Sequence, residues 1–190
     1  MLKAYELKDI PVIDIPNPVI EYAKEVATLL DKENQGKKTM DGGKNKNIKG
    51  TIAQWAVHKY LEDNGWYHEY SKPYTKEQHG DKYDILFAGE EVWDVKCRDW
   101  WNEEYFYNHR ILMGEHEFDS FCEKPCDYYI FTTLEKDLSK AYILGGLVGY
   151  DLWDKLQELK ESEKTHMKYP TKGKTYSRYL TPIRDLILRV

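Results

Sequence analysis

The chain has 190 residues, of which 41% are hydrophobic and 32% charged, and a formal net charge of −5. That length suits one compact domain, or one domain with an appendage, and the core it can bury needs no disulfide or structural metal; three cysteines without a CxxC pair argue against a secreted disulfide scaffold. No apolar run approaches the roughly 20 residues that cross a bilayer, and Met1-Leu2-Lys3 opens no signal peptide, so a soluble cytoplasmic protein is expected.

Residues 1–16 read as an irregular lead-in with two short extended pieces, punctuated by Pro11 and Pro16. The spacing predicts a helix over 17–31, with Pro18 at its first position and Val19, Tyr22, Ala23, Val26, Leu29 and Leu30 on one stripe. Residues 32–49 turn polar, with three glycines and six lysines, and read as a loop or linker. A second helix is predicted over 51–63, ending at Asn64-Gly65, with Gln54 and His58 sharing one face. A short strand follows over 66–72, then a hairpin of 83–88 and 91–98 around Gly89. A helix over 114–123, a second hairpin of 128–134 and 141–144, and a helix over 147–160 come next. Residues 164–179 are basic and poorly patterned, and 180–190 form one further short element. The order implies an α/β fold, a mixed central sheet flanked by helices, in which the long connection between the hairpins allows the crossover of a parallel strand pair. Residues 1–49 then form an appended helix and basic linker, 50–163 the core, and 164–190 a basic extension.

Charge is unevenly spread. Residues 35–49 carry +4 and 164–178 carry +5, leaving −14 on the rest. Basic segments on an acidic body suit a protein that meets a polyanion locally while its centre collects carboxylates, although exposed basic loops are common. Lys44, Lys46, Lys49, Lys172 and Lys174 are the candidate backbone contacts. Trp100, Trp101 and the tyrosines through Tyr107 could stack on nucleobases, with ordinary packing as the competing reading.

The informative stretch is 80–96. On its second strand Trp93, Val95 and Cys97 point one way and Asp94, Lys96 and Arg98 the other. Asp94 and Lys96 therefore leave one face, roughly 6.5–7 Å apart at Cα. Asp84 joins them only if the turn is Ala88-Gly89-Glu90, which sets Phe87 opposite Glu91 and Asp84 opposite Asp94; that odd-numbered turn, or a bulge, is expected. Two facing carboxylates repel unless a divalent cation sits between them. Magnesium takes oxygen ligands and keeps several waters, and a lysine in its field becomes a usable proton acceptor. Asp81 competes with Asp84 as a ligand, and Arg98 could grip a phosphate or pair with a nearby acid. Cys122, Cys126 and His116 offer only a weak zinc pattern.

The pattern Asp84-x9-Asp94-Val95-Lys96 resembles that of the PD-(D/E)XK nuclease superfamily, with the restriction-endonuclease-like fold. The order of elements looks similar too, and residues 50–57 look like the family's leading helix. The resemblance covers roughly residues 50–145. It implies a nuclease that hydrolyses DNA with Mg2+, for which Mn2+ can substitute, and pairing of two copies to cut two strands. It further implies Asp84 and Asp94 as metal ligands, the Val95 carbonyl as another ligand, and Lys96 as the residue that positions or activates the attacking water. Many members place a metal-associated glutamate where this chain has Gln54, whose carbonyl can still hold a metal-bound water. Tyr83 stands where the family often has proline. The competing reading is a nucleic-acid-binding protein that keeps the fold without turnover.

Overall fold

Apolar spacing at the helical period produces α1 (Asn17–Glu33), whereas α2 (Lys44–Asp63) is set by what it buries, among others Ile48, Ile52, Ala56 and Leu61. The computed structural model describes residues 7–33, 44–71, 83–100, 110–114, 126–149, 157–158, 171–176 and 180–188, with backbone alone at 7, 33, 98–100, 110–114, 157–158 and 171–176. At the start of α1 the Val19 and Ile20 amides donate to the Pro16 carbonyl. The end of α2 is a Schellman turn: Gly65 takes φ 72°, its amide donates to the Glu62 carbonyl, and the Trp66 amide donates to the Leu61 carbonyl.

α2 begins seven residues before the predicted start, so Lys44, Lys46 and Lys49 belong to a helix and not to a loop. Ile48 explains the difference. It extends the 48–52–56 stripe by one turn and packs with Ala23 and Ala27 of α1, and this tertiary contact outweighs a polar local sequence.

The fold is mixed α/β. One six-stranded sheet has the order β1-β7-β6-β4-β3-β2, built from β1 (Val12–Asp14), β2 (His68–Tyr70), β3 (Ile85–Phe87), β4 (Glu91–Trp100), β6 (Tyr128–Leu134) and β7 (Lys140–Val148). A second sheet orders β5 (Arg110–Gly114), β9 (Thr171–Tyr176) and β8 (Gln157–Glu158). Among the described residues β4 and β6 run parallel and every other pair is antiparallel. The connection between the parallel strands carries β5, where a helix over 114–123 was predicted; Gly114 closes that strand, and 115–123 lie outside the described residues. The predicted helix over 147–160 also differs. Leu147 and Val148 extend β7 along β6, where their backbone groups gain ladder partners, and Gln157–Glu158 form β8. The basic stretch likewise holds a strand, β9.

α2 is the shared wall of the core. Its Ala53, Val57 and Leu61 pack with Ile85, Trp93 and Val95 of the hairpin, while Ile52 and Ala56 pack with α1, Leu134 and Ala141. Trp93 is fully buried and stacks on Phe87. The short α3 (Ile183–Ile187) closes the first cluster with Ile183, Leu186 and Ile187.

The chain reaches α3 through a close backbone approach. Gly146 and Thr181 exchange amide–carbonyl bonds of 2.8 and 2.9 Å, and Gly145 beside them has φ +117°. A Cβ on Gly145 would lie 2.5 Å from the Thr181 carbonyl oxygen. Gly145→Ala is therefore expected to cost about 2–4 kcal/mol, from overpacking plus a disfavoured φ, as read by urea denaturation.

Candidate active site

The hairpin turn fixes the site. Ala88 and Gly89 both take positive φ, 51° and 83°, and the Glu90 amide donates to the Phe87 carbonyl. Phe87 pairs with Glu91, Leu86 with Val92 and Ile85 with Trp93, the register of a three-residue turn. Continued by one step, that register sets Asp84 opposite Asp94.

At Asp84 the ladder stops and the side chain takes over. Its Oδ2 accepts the Val95 amide at 2.6 Å, and its Oδ1 accepts the Gln54 side-chain amide at 2.6 Å. One carboxylate thus closes the end of the β3–β4 pair and ties it to α2. The Ser71 amide donates to the Asp84 carbonyl, which carries the strap on to β2. Asp94 and Lys96, two residues apart on one face, form an ion pair of 2.9 Å with about a quarter of each side chain exposed, 24% and 21%.

Cys126, just before β6, reports how closely these charges gather. Burial first, and the charge of Asp94 next, push its thiol up to about 12; Lys96 opposes the rise and Asp84 adds to it. The parallel register, with Asp94 beside Tyr129, brings this cysteine to the site. Nothing in the spacing of 80–96 signals it.

Gln54 presents the unusual chemistry. Its orientation follows from charge: the NH2 faces Asp84 because the carbonyl oxygen there would set acceptor against acceptor. The Oε1 is consequently buried with no hydrogen-bond partner among the described residues. An orphaned acceptor costs about 1–3 kcal/mol, and a cation or a water would satisfy it.

The oxygen donors on hand are hard: two carboxylates, the Gln54 carbonyl and the Val95 main-chain carbonyl. Among the described residues no three His, Cys, Asp or Glu side chains converge on one metal position. A small cation here would take two carboxylates, neutral oxygens and water, a donor set that fits Mg2+ and not a thiophilic metal.

The basic candidates divide. Lys44 is exposed, while Lys46 and Lys49 are partly buried; all three lie on the first turns of the helix that carries Gln54, within roughly 15 Å along its axis. The backbone of Arg98 continues β4, and those of Lys172 and Lys174 lie in β9; their side chains are outside the described residues. Asp81, residues 101–107, His116 and Cys122 also lie outside the described residues.

Comparison with known proteins finds no matching family model and no matching curated protein. Among the described residues no helix is long and apolar enough to cross a membrane.

The two aspartates differ in structural burden. Asp84→Asn must turn an NH2 towards one of two existing donors, so without divalent cation it is expected to cost about 1–3 kcal/mol. Asp94→Asn loses only a partly exposed ion pair and should stay within about 1 kcal/mol. Denaturation of both variants in EDTA measures the difference.

Proposed function

We propose that this protein is a divalent-cation-dependent nuclease that hydrolyses phosphodiester bonds in DNA, on a restriction-endonuclease-like core. The observation that carries this reading is Asp84, bonded to Gln54 and to the Val95 amide between Asp94 and its ion-paired Lys96, with the Oε1 of Gln54 buried and without a hydrogen-bond partner among the described residues. The order of elements supports it: helix α2, the antiparallel run β2–β3–β4 bearing the acids and lysine, then β6 parallel to β4.

Asp84, Asp94 and the Val95 carbonyl would hold Mg2+, with Mn2+ as a substitute. When bound, the ion supplies charge neutralisation at the phosphate and a lowered pKa for a coordinated water. Lys96, as an ammonium, donates to the non-bridging phosphate oxygens as negative charge grows on them and holds the attacking water in line. Gln54 Oε1 accepts a hydrogen bond from that water and so turns its lone pair towards phosphorus. Lys44, Lys46 and Lys49 meet the DNA backbone first, and Arg98, Lys172 and Lys174 are further proposed contacts. Binding through so many lysines should weaken steeply with salt.

A second reading is a DNA-binding protein without turnover. The closed Asp94–Lys96 pair and the Gln54 amide on Asp84 favour it, because they balance the carboxylates with no cation present.

Duplex DNA incubated with the protein and Mg2+ should be cut, and EDTA should stop the reaction. Asp94→Ala and Lys96→Ala should each lower the rate by about 100-fold or more. Undiminished cutting by both variants would reject the assignment, and salt-sensitive binding with no cutting would favour the second reading.

Gln54→Glu gives an independent readout. A carboxylate in place of the amide would face Asp84 at hydrogen-bonding distance, so the variant should melt lower than the parent in EDTA. Added Mg2+ should raise its melting temperature more than the parent's, because ligand binding to the folded state stabilises it. Equal shifts would speak against a cation between these residues.

A further inference from the structure

Two histidines outside the carboxylate set meet where α2 ends and β2 begins. The turn between these elements is tight: Gly65 takes φ 72°, and the Trp66 amide returns to the Leu61 carbonyl. It brings His58, near the end of α2, to His68, the first residue of β2. Nδ1 of His58 lies 2.7 Å from Nε2 of His68, with the ring planes 57° apart. Both residues are partly exposed.

Each ring is braced from outside the pair. Nδ1 of His68 is 2.8 Å from the Trp66 carbonyl oxygen, which only accepts, so that nitrogen carries the proton. Nε2 of the neutral His68 ring then presents its lone pair towards His58. A backbone carbonyl behind an imidazole is the outer bond that fixes the tautomer of a metal-ligating histidine and raises its basicity. The His58 ring stacks on Tyr70 at 4.6 Å between centroids and 10° between planes, which sets the plane in which its Nδ1 approaches.

We infer that His58 Nδ1 and His68 Nε2 are the protein ligands of a borderline divalent transition-metal ion, with Zn2+ as its probe, at a site separate from the carboxylates. The proton between the two nitrogens occupies the position that the ion takes. Zn–N bonds of about 2.0–2.1 Å in a tetrahedron put two nitrogens about 3.3 Å apart, so the pair opens by roughly half an ångström from its 2.7 Å. A small rotation of either ring supplies that. His58 stays neutral by shifting its one proton to the other ring nitrogen. Among the described residues no third His, Cys, Asp or Glu side chain joins the pair, and water supplies the remaining ligands at this partly exposed place. Glu69, between His68 and Tyr70, points to the other side of the strand and accepts from the Tyr83 hydroxyl. Imidazole nitrogens suit Zn2+, Cu2+ or Ni2+, whereas Mg2+ demands oxygen, so the two sites sort two kinds of ion.

The ion acts as a clasp. It ties α2, which carries Gln54, to an edge strand of three residues. Tyr70 on that strand pairs with Ile85, and the Ser71 amide donates to the Asp84 carbonyl, so the clasp tightens the frame that holds the carboxylates. Ligands that come together only in the fold turn binding energy into stability. The inference needs neither DNA nor Mg2+ and does not rest on the phosphodiester reading.

The test adds Zn2+ alone to the full chain, with no other divalent ion, and follows the melting temperature together with bound zinc by equilibrium dialysis. The parent should bind zinc and melt higher as Zn2+ is added. His58→Gln and His68→Gln should each lose that rise, while Asp94→Asn, which alters the carboxylate set, should keep it. Nitrogen chemical shifts of the parent's histidines read the same site with no variant: Nδ1 of His58 and Nε2 of His68 should move to coordinated values. No zinc bound by the parent, a rise that survives in both histidine variants, a rise lost in Asp94→Asn, or coordination at other nitrogens overturns the inference. Each of these outcomes leaves the nuclease reading standing, and a failure to cut DNA in Mg2+ leaves this inference standing.

Discussion

Asp84 is the joint on which the site depends. A hairpin that simply continued would spend backbone groups on one another and leave its carboxylate idle. Here the carboxylate replaces the ladder at Val95 and reaches α2 through Gln54, so three segments distant in sequence meet at four atoms. Hydrogen bonds to a charged acceptor are short and strong, and in partly buried surroundings they tolerate little displacement. Positions of Asp94, Lys96 and Cys126 follow, because β4 is held along one edge by β3 and Asp84 and along its other edge by β6.

The same joint accounts for the behaviour of charge. Two aspartates on adjoining strands should repel, yet the structure balances each in a different currency. Asp84 is met by neutral donors, Asp94 by an ammonium. The balance leaves a residue of dissatisfaction at Gln54 Oε1, a buried acceptor facing no donor among the described residues. Proteins keep few such atoms, and each calls for a structural or chemical reason.

Much of this was legible in advance, and where it was not the reason is physical. The hairpin strands, the three-residue turn and the shared face of Asp94 and Lys96 follow from alternation and turn chemistry, which are local. The first turns of α2 are not legible locally because one apolar residue, Ile48, among lysines and asparagines carries no period; α1 supplies the surface that makes them helical. The expected helix over 147–160 gives way at its start because Leu147 and Val148 suit a helix and a buried strand alike, and β6 decides between them. The bond of Gln54 to Asp84 depends on the pitch of α2 across the sheet, which no local pattern sets.

The sequence by itself determined the alternating faces of β4, the Schellman end of α2 at Gly65 and the charge that collects on residues 84–96, because each depends on neighbours within a few positions. The assembled fold alone sets Cys126 among those charges, brings His58 to His68, and leaves one oxygen of Gln54 without a donor among the described residues. Those three facts depend on a parallel strand pairing and on the height at which a helix crosses a sheet. Such distances are set by the packing of Ala53, Val57, Trp93 and Val95, whose side chains say that a core exists without saying what lies at its rim.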